Sequence, residues 1–346
     1  MKSKFIILVV SSLMYLGVAC SKDDSQVVKP EELFTVPANF PKPLYDFSKN
    51  PVTNNGFELG KALFFDGNLS RDGTISCAEC HNQAYAFTHH GHDLSHGIDN
   101  KVGIRNAPPI QNMAFQKEFF WDGGVFDLDL FSIAPIENPV EMDEKLGNVL
   151  EKLRKQEKYT TLFQKAYGSK EVTTERFLKA LSQFMLALVS ANSRYDKYVR
   201  KEAGGTLTTD EFAGLEIFKQ KCASCHAGEL FTDHSYRNNG LPVYNKNDTG
   251  RQRITAAGDD SYKFKVPSLR NIAVTAPYMH DGRFYSLDAV LNHYSDGIVE
   301  SKTLDSLLRT NQRLGIALNK DEKTKLIAFL KTLTDEEFLK NKKFGI

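Results

Sequence analysis

"CAECHNQAYAFTHHGHDLSHG", residues 77–97, holds two cysteines and five of the chain's nine histidines. A second, barer "CASCH" stands at residues 222–226. Cysteines at i and i+3 lie one helical turn apart on one face. So spaced, they can form two thioethers with a single haem, and the histidine that follows reaches its iron as an axial ligand. Zinc is the competing reading. Zinc ribbons separate two CxxC knuckles by about 15–20 residues, far fewer than lie between Cys80 and Cys222. Zinc also asks for no histidine directly after each pair. The expected cofactors are two covalent c-type haems, bound at Cys77 and Cys80 and at Cys222 and Cys225. His81 and His226 are the expected proximal ligands of iron 1 and iron 2.

The rest of the chain fits an exported haem protein. Its first 20 residues read as a secretion leader, with Lys2 and Lys4 before the apolar "FIILVVSSLMYLGVA". The leader ends in small residues and Cys20, as a bacterial lipoprotein signal does, so Cys20 is the expected lipidation site and the lipid an anchor at a membrane. The expected location is periplasmic. With Cys20 lipidated and four cysteines on haems, none of the five is left for a disulfide. The net charge of +1 includes Lys2 and Lys4 of the leader, so the mature chain carries no basic excess and no nucleic-acid partner is expected.

Residues 21–43 are polar with four prolines and read as a tether. Two segments of similar plan follow, each a helical pattern leading into CxxCH. They divide the chain into an expected first haem domain, 44–201, and second, 202–346, with "EAGG" at 202–205 as linker. Apolar residues at 146, 149, 150 and 153, and at 177, 178, 181, 184, 185 and 188, have helical spacing. Ser286 is placed to cap a helix carrying Leu287, Val290, Leu291 and Tyr294 on one face. A last amphipathic helix covers "NKDEKTKLIAFLKTL" and is free to pack back on the first domain. Strand patterns are few. The expected fold is mostly α, two cytochrome c-type haem domains with long loops.

Several motifs in order, "LGKALFFDGNLSRDGTISCAECHN", "GIRNAPPIQNMAF", "FFWDGG", "NPVEM", "CASCH" and "LRNIAVTAPYMHDGRFYSL", resemble the bacterial dihaem cytochrome c peroxidases. That family includes the methylamine dehydrogenase maturation (MauG-like) enzymes, and the resemblance covers about residues 45–335. It implies a peroxidatic first haem, an electron-transfer second haem and an active site near the interface of the two domains. It implies that His96 is a displaceable second ligand of iron 1, with His89, His90 and His92 as rivals that read otherwise as a solvated loop. Glu141 matches the catalytic glutamate, with Glu137 as the spare candidate. A carboxylate in an apolar pocket can move a proton between the oxygens of peroxide. Where many peroxidases carry a glutamine, this chain has Phe131.

Trp121, the single tryptophan, matches a residue between the two haems. Asn106, Thr275 and Pro277 match positions whose oxygens hold a calcium ion, a cation that accepts carbonyl ligands. Tyr294 stands where the cytochrome-using peroxidases place a methionine on iron 2; Met279 is the nearby alternative. A thioether favours ferrous iron, and an anionic phenolate favours ferric and higher states. Three functions follow. The first is reduction of hydrogen peroxide with electrons from a small donor such as cytochrome c. The second is MauG-like oxidation of a protein or organic substrate through a high-valent intermediate. The third is a dihaem electron carrier. The peroxidases are often dimers, so a homodimer is expected by analogy alone.

Overall fold

The computed structural model describes residues 33–244, 247–309 and 313–346. The expected leader, Cys20 and the first part of the expected tether lie outside the described residues.

Two helix pairs organise the chain. Helix α1 (Asn54–Phe64) starts at Thr53, whose side chain accepts the Gly56 N–H at 3.0 Å. It packs on α2 (Glu157–Tyr167) and against α3 (Thr174–Ala187). The α3 face is wide and apolar, and Phe177, Phe184 and Leu186 are fully buried. In the second half, α4 (Thr209–Lys221) and α6 (Lys320–Lys331) pair, each opened by a capping box, Thr208 with Glu211 and Asn319 with Glu322. Between them runs α5 (Leu287–Asp296), where the Ser286 hydroxyl accepts the Ala289 N–H at 3.1 Å. The described residues are mostly helix and loop. Their one sheet is an antiparallel ribbon of β1 (Tyr236–Arg237) and β2 (Phe264–Lys265), with Tyr236 opposite Lys265.

Each pair crosses at a glycine. A Cβ on Gly60 would stand 1.9 Å from the Ala180 carbonyl oxygen, and one on Gly214 2.0 Å from that of Lys325. The helix before each CxxCH thus lies directly on the backbone of a later helix. Gly60→Ala and Gly214→Ala are each expected to cost about 1–3 kcal/mol of stability through forced backbone separation, measurable by chemical denaturation of the holoprotein.

The duplication runs further than the motifs. Phe87-Thr88 follows the first motif and Phe231-Thr232 the second. Both threonine hydroxyls donate to a carbonyl that precedes a proline, Ala107 and Val266. Asn112 and Asn271 both adopt positive φ, and their N–H groups bond to Leu188 and Leu333. Phe120 and Met279 share positive φ inside matching bridges, Phe119 with Val125 and Tyr278 with Phe284. The halves differ at the motif entry. Helix α4 runs straight into Cys222, whereas α1 stops at Phe64 and a looped stretch, turned by Asp66, intervenes before Cys77.

Two segments depart from simple halves. Within the stretch expected to be a tether, residues 33–43 are packed: Phe34 lies 4.4 Å from Phe47, Phe40 5.2 Å from Phe115, and Asn39 donates to Asp196 at 2.8 Å. Aromatic burial outweighs the proline-rich composition there. At the other end, the helix Glu336–Lys340 inserts Phe338 into the first-half core beside Phe87. Gln83 donates to the Phe338 and Asn341 carbonyls.

Candidate haem sites

Both CxxCH motifs have the same local geometry. The His81 N–H bonds to the Cys77 carbonyl at 3.0 Å, and the His226 N–H to the Cys222 carbonyl at 3.0 Å. Each histidine therefore sits one turn beyond its first cysteine. His81 Nδ1 is 2.8 Å from the Phe87 carbonyl, and His226 Nδ1 is 3.1 Å from that of Phe231 and 3.2 Å from that of Pro267. Nδ1–H donation to a carbonyl leaves Nε2 as the free lone pair, the tautomer a metal requires. Burial holds both imidazoles neutral, His81 lowered to about 4 and His226 lowered likewise.

The four thiols are unpaired, and burial pushes Cys77 up to about 12, Cys80 to about 11 and Cys222 to about 12. Unlinked thiols one turn apart beside an oriented histidine suit covalent haem at both places. The phenylalanine carbonyls that orient the histidines were not foreseen, although the repeated Phe-Thr after each motif marks them.

A cavity of about 400 Å³ opens beside the first motif, within the range of about 300–1,000 Å³ usual for ligand and cofactor sites. It is lined by Cys77, Cys80, His81, His96 and Glu141, with Phe64, Phe120, Phe131, Pro135, Met142 and Met185 among the apolar walls. Glu141 and His96 are brought together by the backbone. A Cβ on Gly97 would stand 2.4 Å from the Glu141 carbonyl oxygen, and the Ile98 N–H donates to that oxygen at 2.7 Å. Only glycine lets the His96 loop lie so closely on residues 140–141. Glu141 accepts from Asn138 Nδ2 at 2.9 Å, and burial raises its carboxyl above the ordinary range, partly offset by that bond. Glu137 lies elsewhere: it is exposed and accepts the Leu146 N–H.

The other loop histidines do not all behave as solvated side chains. His90 stacks on Tyr85 at 3.9 Å. The rings of His89, His92 and His96 stand 4.7–6.2 Å apart, and His89 Nδ1 is buried without a hydrogen-bond partner. Among the described residues, no three or more His, Cys, Asp or Glu side chains are placed to hold a metal ion.

Trp121 bridges the halves. Its Nε1–H donates to the Asn106 carbonyl at 2.9 Å, and its own carbonyl accepts the Lys265 N–H at 2.7 Å. The Asn106 N–H donates to the His280 carbonyl at 2.7 Å, which sets Asn106 beside the 275–280 segment carrying Thr275 and Pro277. Amide and carbonyl oxygens are donors of the kind calcium accepts.

At the second motif Tyr294 is partly buried, and that burial pushes its phenol up to about 12, with Cys225 and Cys222 adding to the rise. Asn239 Nδ2 lies 3.4 Å from the Met279 Sδ, and the Asn239 carbonyl is 3.0 Å from His293 Nε2. Asn239 belongs to no motif and carries no spacing signal. Its place emerges only when residues 40–55 positions apart are folded together.

Comparison with known proteins agrees with this geometry. A family profile described as di-haem cytochrome c peroxidase matches residues 54–204. The chain is 35% identical over 314 residues to the methylamine utilization protein MauG of Methylorubrum extorquens, covering 88% of this chain and 84% of that one. It is 36% identical over 288 residues to the cytochrome c551 peroxidase of Nitrosomonas europaea, covering 81% and 80%. Among solved structures, a MauG-like protein associated with microbial copper homeostasis is 32% identical, with a TM-score of 0.80 over 90% of this chain and 97% of that one. With two matching CxxCH sites and these relatives, the chain belongs to the di-haem cytochrome c peroxidase family.

Proposed function

We propose that this protein reduces hydrogen peroxide to water at its first haem, with electrons delivered through the second from a small donor protein such as cytochrome c. The observation that carries the reading is the convergence of Glu141, His96 and His81 on one cavity beside Cys77 and Cys80. Cys77, Cys80 and His81 would hold the first haem, and Cys222, Cys225 and His226 the second. When bound, the first haem iron supplies the redox chemistry of O–O cleavage. Glu141 takes the proton of the near peroxide oxygen and returns it to the far one, which leaves as water. Its raised pKa suits both halves of that exchange, and Asn138 holds the carboxylate in place. Phe131 and Met142 keep bulk water from that carboxylate. His96 lines the same cavity and would serve as a displaceable ligand of that iron, with the Gly97 contact anchoring the base of its loop. Trp121, tied to both halves, serves as the electron relay. Asn106, Thr275 and Pro277 would hold calcium beside it.

A second reading, oxidation of a protein or organic substrate, is favoured by one observation: a partly buried phenol, Tyr294, beside the second motif. Mixing the protein with peroxide, before and after reduction of one haem, separates the readings. Peroxide consumption that requires prior reduction supports the peroxidase. Reaction of the fully oxidised protein with lasting spectral change supports the second reading, and no peroxide consumption in either state overturns both.

We also propose export and lipid anchoring at Cys20, supported by the leader sequence. Among the described residues no helix is long and apolar enough to cross a membrane. Cys20→Ser is expected to move the protein from the membrane to the soluble fraction on cell fractionation.

A further inference from the structure

The duplication assigns a role to a residue that the motifs leave unmarked. In the first half, His96 and Phe120 line one cavity beside the CxxCH histidine. Gly97, next to His96, packs on the carbonyl of Glu141, beyond the helical segment that follows Phe120. In the second half, Gly240 stands 3.2 Å, by its would-be Cβ, from the carbonyl of Val299, just beyond α5, and the Val299 N–H donates to the Gly240 carbonyl at 2.9 Å. The residue before Gly240 is Asn239. By this correspondence Asn239 stands where His96 stands, and Met279 where Phe120 stands. A haem held by Cys222, Cys225 and His226 would have both as candidate neighbours.

The two are bonded. Asn239 Nδ2–H donates to the Met279 thioether sulfur at 3.4 Å, a contact that draws on the sulfur lone pairs and fixes the side chain. Asn239 is also held through its backbone, whose carbonyl is bonded to His293, the neighbour of Tyr294 on α5. One residue is thus bonded both to the sulfur and to the helix that carries Tyr294.

We propose that Asn239 is a positioning residue that selects the ligand opposite His226, holding the Met279 thioether away and leaving that position to Tyr294. The proposal rests on the reading that Tyr294 ligates the second iron, and the test separates the two. In the oxidised holoprotein, a phenolate-to-iron charge-transfer band is expected, and Tyr294→Phe is expected to abolish it. Asn239→Ala and Asn239→Asp are each expected to replace that band with a methionine-to-iron band and to raise the midpoint potential of the second haem, since a thioether favours ferrous iron. Adding Met279→Leu to either variant is expected to remove the new band.

If either Asn239 variant takes up both haems yet keeps the phenolate band and the original potential, the Asn239 assignment fails while Tyr294 ligation stands. If the unmodified protein already shows the methionine band, or Tyr294→Phe leaves its spectrum unchanged, the Tyr294 reading fails and the Asn239 assignment fails with it. Asn239→Asp keeps the size of the side chain and the backbone bond to His293, so a folding defect in the alanine variant does not decide the question.

Discussion

Glu141→Gln is expected to slow the reaction with peroxide by about 10²–10⁴-fold, the usual worth of a positioned acid–base group. The amide keeps the size of the side chain and can still bond to Asn138, so both haem spectra and the His96 loop should be unchanged. The loss is of proton transfer alone. Stopped-flow mixing of the half-reduced protein with peroxide measures it. The pH dependence carries the finer test. As the base that deprotonates peroxide, Glu141 must be ionised, so the rate should fall as pH drops through its pKa. Burial raises that pKa, so the falling limb should lie above the pH of an ordinary carboxylate limb. In Glu141→Gln the limb should vanish. Glu137→Gln, exposed and outside the cavity, should leave both rate and profile intact. Full peroxide turnover by Glu141→Gln would reject the assignment.

Much of this molecule can be read from the chain because its chemistry is local. CxxCH is a five-residue device, and Ser286 and the 3.6-residue patterns lie within single helices. The rest depends on distant partners. Glu141 carries no spacing signal of its own; only resemblance singled it out, and its neighbours in the cavity come from residues 64–185 and beyond. The internal repeat was faint because its equivalent positions differ in identity: Gln111 against Arg270, Phe120 against Met279, His96 against Asn239. What the halves share is backbone behaviour, such as the positive φ at Asn112 and Asn271, which a residue-by-residue reading does not see. Residues 33–43 misled through composition. Their three prolines, Pro37, Pro41 and Pro43, suggested a spacer, while Phe34 and Phe40 supplied apolar surface that the body covers.

Arg270→Leu is expected to be the most destabilising single change, at about 3–5 kcal/mol, because it strands a buried charge. Arg270 and Asp196 are both fully buried and meet through two bonds, Nη1 to Oδ2 at 2.9 Å and Nη2 to Oδ1 at 2.8 Å. The guanidinium also donates to the Glu229 carbonyl at 2.8 Å and lies 4.3 Å from the Phe40 ring. The carboxylate also accepts from Asn39, the Ser193 N–H and the Ser193 hydroxyl. The pair thereby joins the segment before α1, the short helix Arg194–Val199 and the loop behind the second motif, whose Phe231 carbonyl orients His226. Without Arg270, Asp196 keeps its serine and asparagine donors but has no countercharge.

The pH response separates this account from simple loss of packing. In the unaltered protein burial opposes the charge, but Arg270 and the other donors prevail and hold the Asp196 carboxyl below the usual range. Its stabilisation is therefore present above the unfolded pKa and lost as pH falls through the folded one. In Arg270→Leu the unpaired, buried carboxyl should instead titrate above its unfolded value, so mild acidification should recover stability rather than remove it. Arg270→Leu combined with Asp196→Leu removes both charges and should be less destabilised than Arg270→Leu alone. Denaturation midpoints of the three holoproteins between pH 7 and about pH 4, near the ordinary carboxylate pKa, provide the check. A variant Arg270→Leu that only loses stability on acidification would show that the pair contributes shape and not charge.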